Sequence, residues 1–132
     1  MAKSDKDHAT QLLEMATKDH TALAHMLEAS HFSEEVFGFH AQQVIEKALK
    51  AWIAALGLTY PKSHDVSVLI RILEDEGEDL GRFPDLEDYT IFAVQYRYEA
   101  YDDAEEALDR NDTIEKTEAV VAHVRSIIDR MP

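Results

Sequence analysis

Four side chains in one short stretch have the types and spacing to hold an anion or a sugar. In FGFHAQQVIEKALKAWIAALG, Phe37 to Gly57, His40, Gln43, Lys47 and Lys50 recur every three or four residues. At about 100° per residue they fall within an arc of roughly 80° on a helix, with Glu46 and Phe39 at its edge. Phe37, Ala41, Val44, Ile45, Ala48, Trp52 and Ala55 fall on the opposite side as the core face. Two ammonium groups beside an amide and an imidazole suit a phosphate or a ribose, because charge and directional hydrogen bonds come from one line. The same pattern also suits a solvated face in which Glu46 and Lys50 form an ordinary i,i+4 pair. Spacing alone does not separate the two.

A second cluster is YRYEAY, with Arg97 between Tyr96 and Tyr98 and with Tyr101 one turn on. Arg97 and Tyr101 are i,i+4 neighbours, so the guanidinium can meet a phosphate while a ring stacks on a base. Alternatively the tyrosines pack with their hydroxyls at the rim and Arg97 pairs with Asp102 or a nearby glutamate. Other chemistries find no motif. The seven histidines include His20 and His25, but no His-Glu-x-x-His or similar ligand spacing occurs, so no metal site is expected. A phosphate-binding glycine-rich loop, a Gly-x-Ser-x-Gly elbow and cysteine are all absent, which leaves no support for an autonomous nucleotide or acyl hydrolase. No cofactor is expected.

The elements that must position these groups are helical. Leu12, Leu13, Met15, Ala16, Leu23, Met26 and Leu27 define a first helix from about Asp5 to Ser30, capped by Ser4 or Asp5. Ser33, followed by two glutamates, caps a second that runs to Gly57. A shorter third helix follows GLTYPKSHD, capped by Ser63 or Asp65 and ending near Gly77. A fourth spans Asp85 to about Arg110, with Leu86, Tyr89, Phe92, Ala93, Tyr96, Ala100, Ala104 and Leu108 as its apolar positions, and a fifth runs from Thr113 to about Arg130. The expected fold is all-α: an up-and-down four-helix bundle with an additional short helix, in one domain over residues 1–132.

Composition agrees. The 132 residues are 45% hydrophobic with only 4 Gly and 3 Pro, which fits a helical globular chain. Thirteen basic against 27 acidic residues give a formal net charge of -14, a field that repels nucleic-acid backbones and excludes broad DNA binding. A few positioned donors still act on one nucleotide or an RNA end at short range. The acidic runs EDEGED and YDDAEEALD read as solvated faces. No apolar stretch is long enough for a membrane span and the N-terminus has no signal-peptide core, so a cytoplasmic location is expected.

The phrase FHAQQVIEKALKAWIAALG, then SHDVSVLIRIL and later YRYEAYDD, resembles the HEPN domain family, the higher-eukaryote and prokaryote nucleotide-binding domain. The resemblance covers nearly the whole chain in helix order. It implies a helical bundle, often a homodimer, frequently paired with a minimal nucleotidyltransferase in toxin–antitoxin-like systems. Family members are ribonucleases or noncatalytic nucleotide- or RNA-associated modules. His40, Gln43, Glu46, Lys47 and Lys50 match polar positions of the family's second helix, His64 matches a histidine before its third, and Arg97 with Tyr98 match its Arg-Tyr pair. Ribonuclease members carry a His four to six residues after an Arg. Here Tyr101, Asp102 and Asp103 occupy that window after Arg97, and Glu99 stands where a Pro often follows the pair. Carboxylates at that place repel an RNA phosphate.

The leading expectation is therefore a noncatalytic module with no catalytic residues. It binds a nucleotide or phosphate-bearing ligand through His40, Gln43, Lys47, Lys50, His64, Arg97, Tyr98 and Tyr101, and acts with a nucleotidyltransferase partner. The alternatives are a metal-independent ribonuclease with a divergent site, in which Arg97 holds phosphate and His40 or His64 replaces the missing His, and a purely structural dimerisation protein.

Overall fold

Ser4 starts the first helix by accepting a hydrogen bond from the Asp7 N–H at 3.1 Å, which satisfies a donor that the helix itself leaves unpaired. In the computed structural model, which describes residues 4–28, 31–92 and 108–132, this helix is α1 (Asp5–Ala24). It stops at Ala24 rather than near Ser30 because the chain tightens there: the Met26 N–H donates to the Leu23 carbonyl, and the His25 ring bonds the Thr21 carbonyl.

Ser33 caps α2 (Glu34–Ala55), its Oγ accepting from the Val36 N–H, and Glu34 and Glu35 lie at the positive end. The helix closes at Gly57, whose φ of +76° is cheap only without a Cβ. Asp65 rather than Ser63 caps α3 (Val66–Asp75); the Ser63 hydroxyl instead accepts from the Asp65 N–H. The helix expected to begin at Asp85 starts differently. Asp85 adopts a left-handed φ of +67°, a short 3-10 helix covers Leu86–Tyr89, and helical conformation continues through 90–92. Asp109 caps α4 (Arg110–Asp129), which begins three residues before the expected Thr113 because Asp109 captures the Asp112 N–H. These five helical elements and no strand make up the described residues. The expected apolar positions Ala93, Tyr96, Ala100 and Ala104 lie outside them.

Side-chain contacts give the helix directions. His8 meets Tyr60 and Lys47 meets Asp19, so α1 and α2 run antiparallel; Lys6 meets Met131 and Arg125 meets Thr17, so α1 and α4 do too. The core runs between these three helices, with Leu13, Phe37, Ile45, Trp52, Leu69, Leu86 and Val124 buried. Trp52 sits against His123 and Phe83 and donates its indole N–H to Glu78 at 2.8 Å. At the other end the Arg110 guanidinium lies over the Phe37 ring, 4.8 Å from its centre. It donates to the Met26 and Phe32 carbonyls at 2.8 Å, so it ties the α1–α2 connection to the start of α4.

Helix α2 is the centre of the bundle. All the expected core positions on it are buried except Ala55, which is half-buried, and Leu49, Ala51, Ile53 and Ala54 are buried as well. No residue of α2 is exposed. The polar stripe is therefore not a solvated face.

Candidate functional site: a braced polar ridge on the second helix

His40, Gln43, Lys47 and Lys50 are all half-buried. Each lysine is met by a carboxylate. The Lys47 ammonium reaches Asp19 on α1, and Lys50 pairs with Glu46 at 3.0 Å while lying over the Tyr60 ring, 5.5 Å from its centre. The i,i+4 pair of Glu46 and Lys50 thus forms, but as a largely buried contact rather than a surface one.

Glu46 is the hub. Only 5% exposed, it takes its hydrogen bonds from three side chains: Oε1 accepts from Gln42 at 2.8 Å and from Nδ1 of His64 at 3.0 Å, and Oε2 accepts from Lys50. Burial alone would raise its carboxyl pKa, but the donors from Gln42, Lys50 and His64 outweigh it and hold the group below its ordinary value. Glu46 is accordingly an anion. Gln42, fully buried, spends its second amide proton on the His64 carbonyl at 3.2 Å, and its carbonyl oxygen accepts from Gln43 at 2.8 Å. Residue 64 is thus held from α2 through both its backbone and its ring. Its side chain nevertheless remains 54% exposed, on the flank of the ridge beside Gln42 and Glu46.

Tyr60 extends the network to the start of α1. Its hydroxyl shares a 2.8 Å hydrogen bond with Nε2 of His8, the two rings stack, and burial raises the phenol pKa so that it remains a neutral O–H. At the other end, Nδ1 of His40 is buried and finds no hydrogen-bond partner among the described residues, while its ring meets Phe39 edge-on.

The structure thus gathers His40, Gln43, Lys47 and Lys50 along α2 and brings His64 to the flank of the line, beside Gln42 and Glu46. Arg97, Tyr98 and Tyr101 lie outside the described residues. Gln42 escapes a sequence reading because a helical wheel sets it beyond the stripe. Its only local signal is the i,i+4 run Gln42, Glu46, Lys50. His8, Tyr60 and Asp19 join from distant positions with no local signal at all.

Two other clefts suit an anion less well. One of about 340 Å³ beside α3 is lined by Arg71 but also by Glu74, Asp85 and Glu87. One of about 350 Å³ between α1 and α4 sets Lys6 and Arg125 against Glu14 and Asp129. Among the described residues no group of three or more His, Cys, Asp or Glu is arranged to hold a metal ion, and no helix is long and apolar enough to cross a membrane.

An all-helical bundle whose central helix carries a braced polar ridge is the setting for the family comparison. Residues 9–131 match the HEPN domain family, and the chain belongs to it. No curated protein and no solved structure matches the chain.

Proposed function

We propose that this chain is a noncatalytic HEPN module that holds the phosphate-bearing end of a nucleotide or an RNA on the α2 ridge. In this reading it acts as a homodimer with a protein partner, such as a minimal nucleotidyltransferase, in a toxin–antitoxin-like pair. The observation that carries the binding reading is the bracing of the ridge: Asp19 holds Lys47, and Glu46 holds both Lys50 and His64. Side chains already fixed lose little rotamer freedom when a ligand arrives. The unpartnered Nδ1 of His40 adds a polar atom whose desolvation the described residues do not offset. Because each lysine already faces a carboxylate, the ridge suits one phosphate with sugar hydroxyls better than a polyphosphate.

A thermal-shift titration with AMP, ATP, GTP and a short RNA tests this, since a ligand that binds only the folded chain raises Tm. The expected outcome is a concentration-dependent rise that Lys47→Ala/Lys50→Ala abolishes, each protein being compared with its own ligand-free baseline. No rise with any ligand overturns the reading.

The hydrogen bond between Glu46 and His64 favours a second reading, a divergent metal-independent ribonuclease. A carboxylate that orients an imidazole is how general bases are held, and Arg97 would supply the phosphate contact. RNA cleavage lost in His64→Ala and Arg97→Ala supports it, and RNA left intact after long incubation removes it.

A further inference from the structure

We infer that Glu46 and Gln42 lock His64 in its Nδ1–H tautomer, so that Nε2 offers a lone pair to the ligand and the ligand meets it with a ribose hydroxyl. This deepens the proposed function and rests on it for the identity of the ligand.

The chain of argument is chemical. A carboxylate only accepts hydrogen bonds, so the 3.0 Å contact between Glu46 Oε1 and His64 Nδ1 requires the proton to be on Nδ1. Neutral imidazole carries one ring proton, which leaves Nε2 as an acceptor. The depressed carboxyl pKa keeps Glu46 in the accepting form. Gln42 removes the remaining freedom. Its amide NH2 faces two acceptors, Glu46 Oε1 and the His64 carbonyl, so neither the amide orientation nor the position of residue 64 is interchangeable. Nε2 makes no hydrogen bond among the described residues, and the ring is half in solvent.

Such an atom complements a donor. Of the groups next to the phosphate in a nucleotide, the phosphate oxygens do not donate, whereas a ribose hydroxyl does. With Lys50 and Lys47 spaced along the same helix for phosphate, His64 on the flank of the ridge reads the sugar. Glu46 and Gln42 are thus positioning residues and His64 is the group that touches ligand.

Two measurements decide this. The first is nitrogen-15 NMR of histidine-labelled protein at about pH 8.5, where imidazole is ordinarily neutral, with the His64 signals assigned by their loss in His64→Gln. The expected spectrum has a protonated Nδ1 and a bare Nε2 in the native chain, which needs no variant that risks unfolding. Glu46→Gln, which keeps an accepting oxygen, should retain that pattern, and Gln42→Ala should weaken it toward a mixture of tautomers. A native His64 with its proton on Nε2 overturns the tautomer assignment whatever the ligand is.

The second is titration calorimetry with AMP, 2′-deoxy-AMP and 2′,3′-dideoxy-AMP. A site built around a hydroxyl discriminates strongly against its loss, so at least one deoxy analogue should bind about tenfold or more weaker than AMP, and His64→Ala should erase the difference. Equal affinity for all three overturns the ribose assignment and leaves phosphate binding standing. Failure of every nucleotide to bind overturns both.

Discussion

Glu46 spends its carboxylate on three donors of different chemistry, an amide, an ammonium and an imidazole, in a place where a bare charge would be costly. Removing it leaves the half-buried Lys50 ammonium with the Tyr60 ring but no carboxylate. Glu46→Ala should lower the unfolding free energy by about 3–5 kcal/mol, the usual penalty for breaking one side of a buried ion pair, as read by urea denaturation at neutral pH. Glu46→Gln, which keeps an acceptor, should cost less, about 1–2 kcal/mol. The pH dependence has a definite sign. The folded carboxyl titrates below its ordinary value, so the folded state binds the proton more weakly than the unfolded state does. Its stabilisation is complete above the unfolded pKa of about 4.3 and fades as the pH falls through the folded value. The stability gap between native protein and Glu46→Gln should therefore narrow from pH 7 to pH 3. A gap that stays constant would show that the charge is not what the network uses. Periodicity alone put Glu46 at the edge of a stripe and passed over Gln42, because it assigns carboxylates and amides to solvent by default. The partner from outside the helix that helps to permit their burial is His64, eighteen residues from Glu46 in sequence.

Helix α2 inverts a rule that holds for isolated helices. Gly38 lies within it, and Gly→Ala in a helix interior ordinarily gains about 1 kcal/mol. Here an added Cβ would fall within 2.5 Å of atoms of the Phe92 ring, so the glycine serves close packing of helix against ring rather than backbone freedom. Gly38→Ala should thus destabilise by a net of about 1–3 kcal/mol. A second change, Phe92→Leu, should cost less in the Gly38→Ala background than in the native one, which a double-mutant cycle by chemical denaturation measures. A raised Tm in Gly38→Ala alone would contradict the packing. The helix ends divide in a similar way. Ser33 is readable as a cap because it stands just before an acidic first turn. The sequence leaves Ser4 or Asp5, and Ser63 or Asp65, as alternatives and starts the last helix at Thr113 rather than after Asp109, since several Ser and Asp compete nearby and only the closed hydrogen bond identifies the cap.

Across the whole molecule the formal charge of -14 acts against compaction as well as against polyanions. Salt screens that repulsion within about 10 Å at 0.1 M. Raising NaCl from about 20 mM to about 300 mM should therefore raise Tm by about 3–5 °C, equivalent to about 1 kcal/mol for a chain of this size. A falling Tm would mean that the ion pairs of the ridge and of Arg110 outweigh the net charge.

By itself the sequence determined the helical class, the order of the elements, the buried face of α2 and the family, because helical periodicity and capping are local properties that a linear pattern records. It also put forward His40, Gln43, Lys47, Lys50, His64, Arg97, Tyr98 and Tyr101 as candidate ligand residues, the last three of which lie outside the described residues. Only the tertiary structure decided how the first five are partnered. The packing of α1 and of the loop before α3 around α2 converts a polar stripe into a half-buried ridge with fixed partners, and burial is what turns a carboxylate, an amide and an imidazole into one network. Whether a polar side chain meets water or another side chain depends on residues far away in sequence, and that is set by how the helices pack.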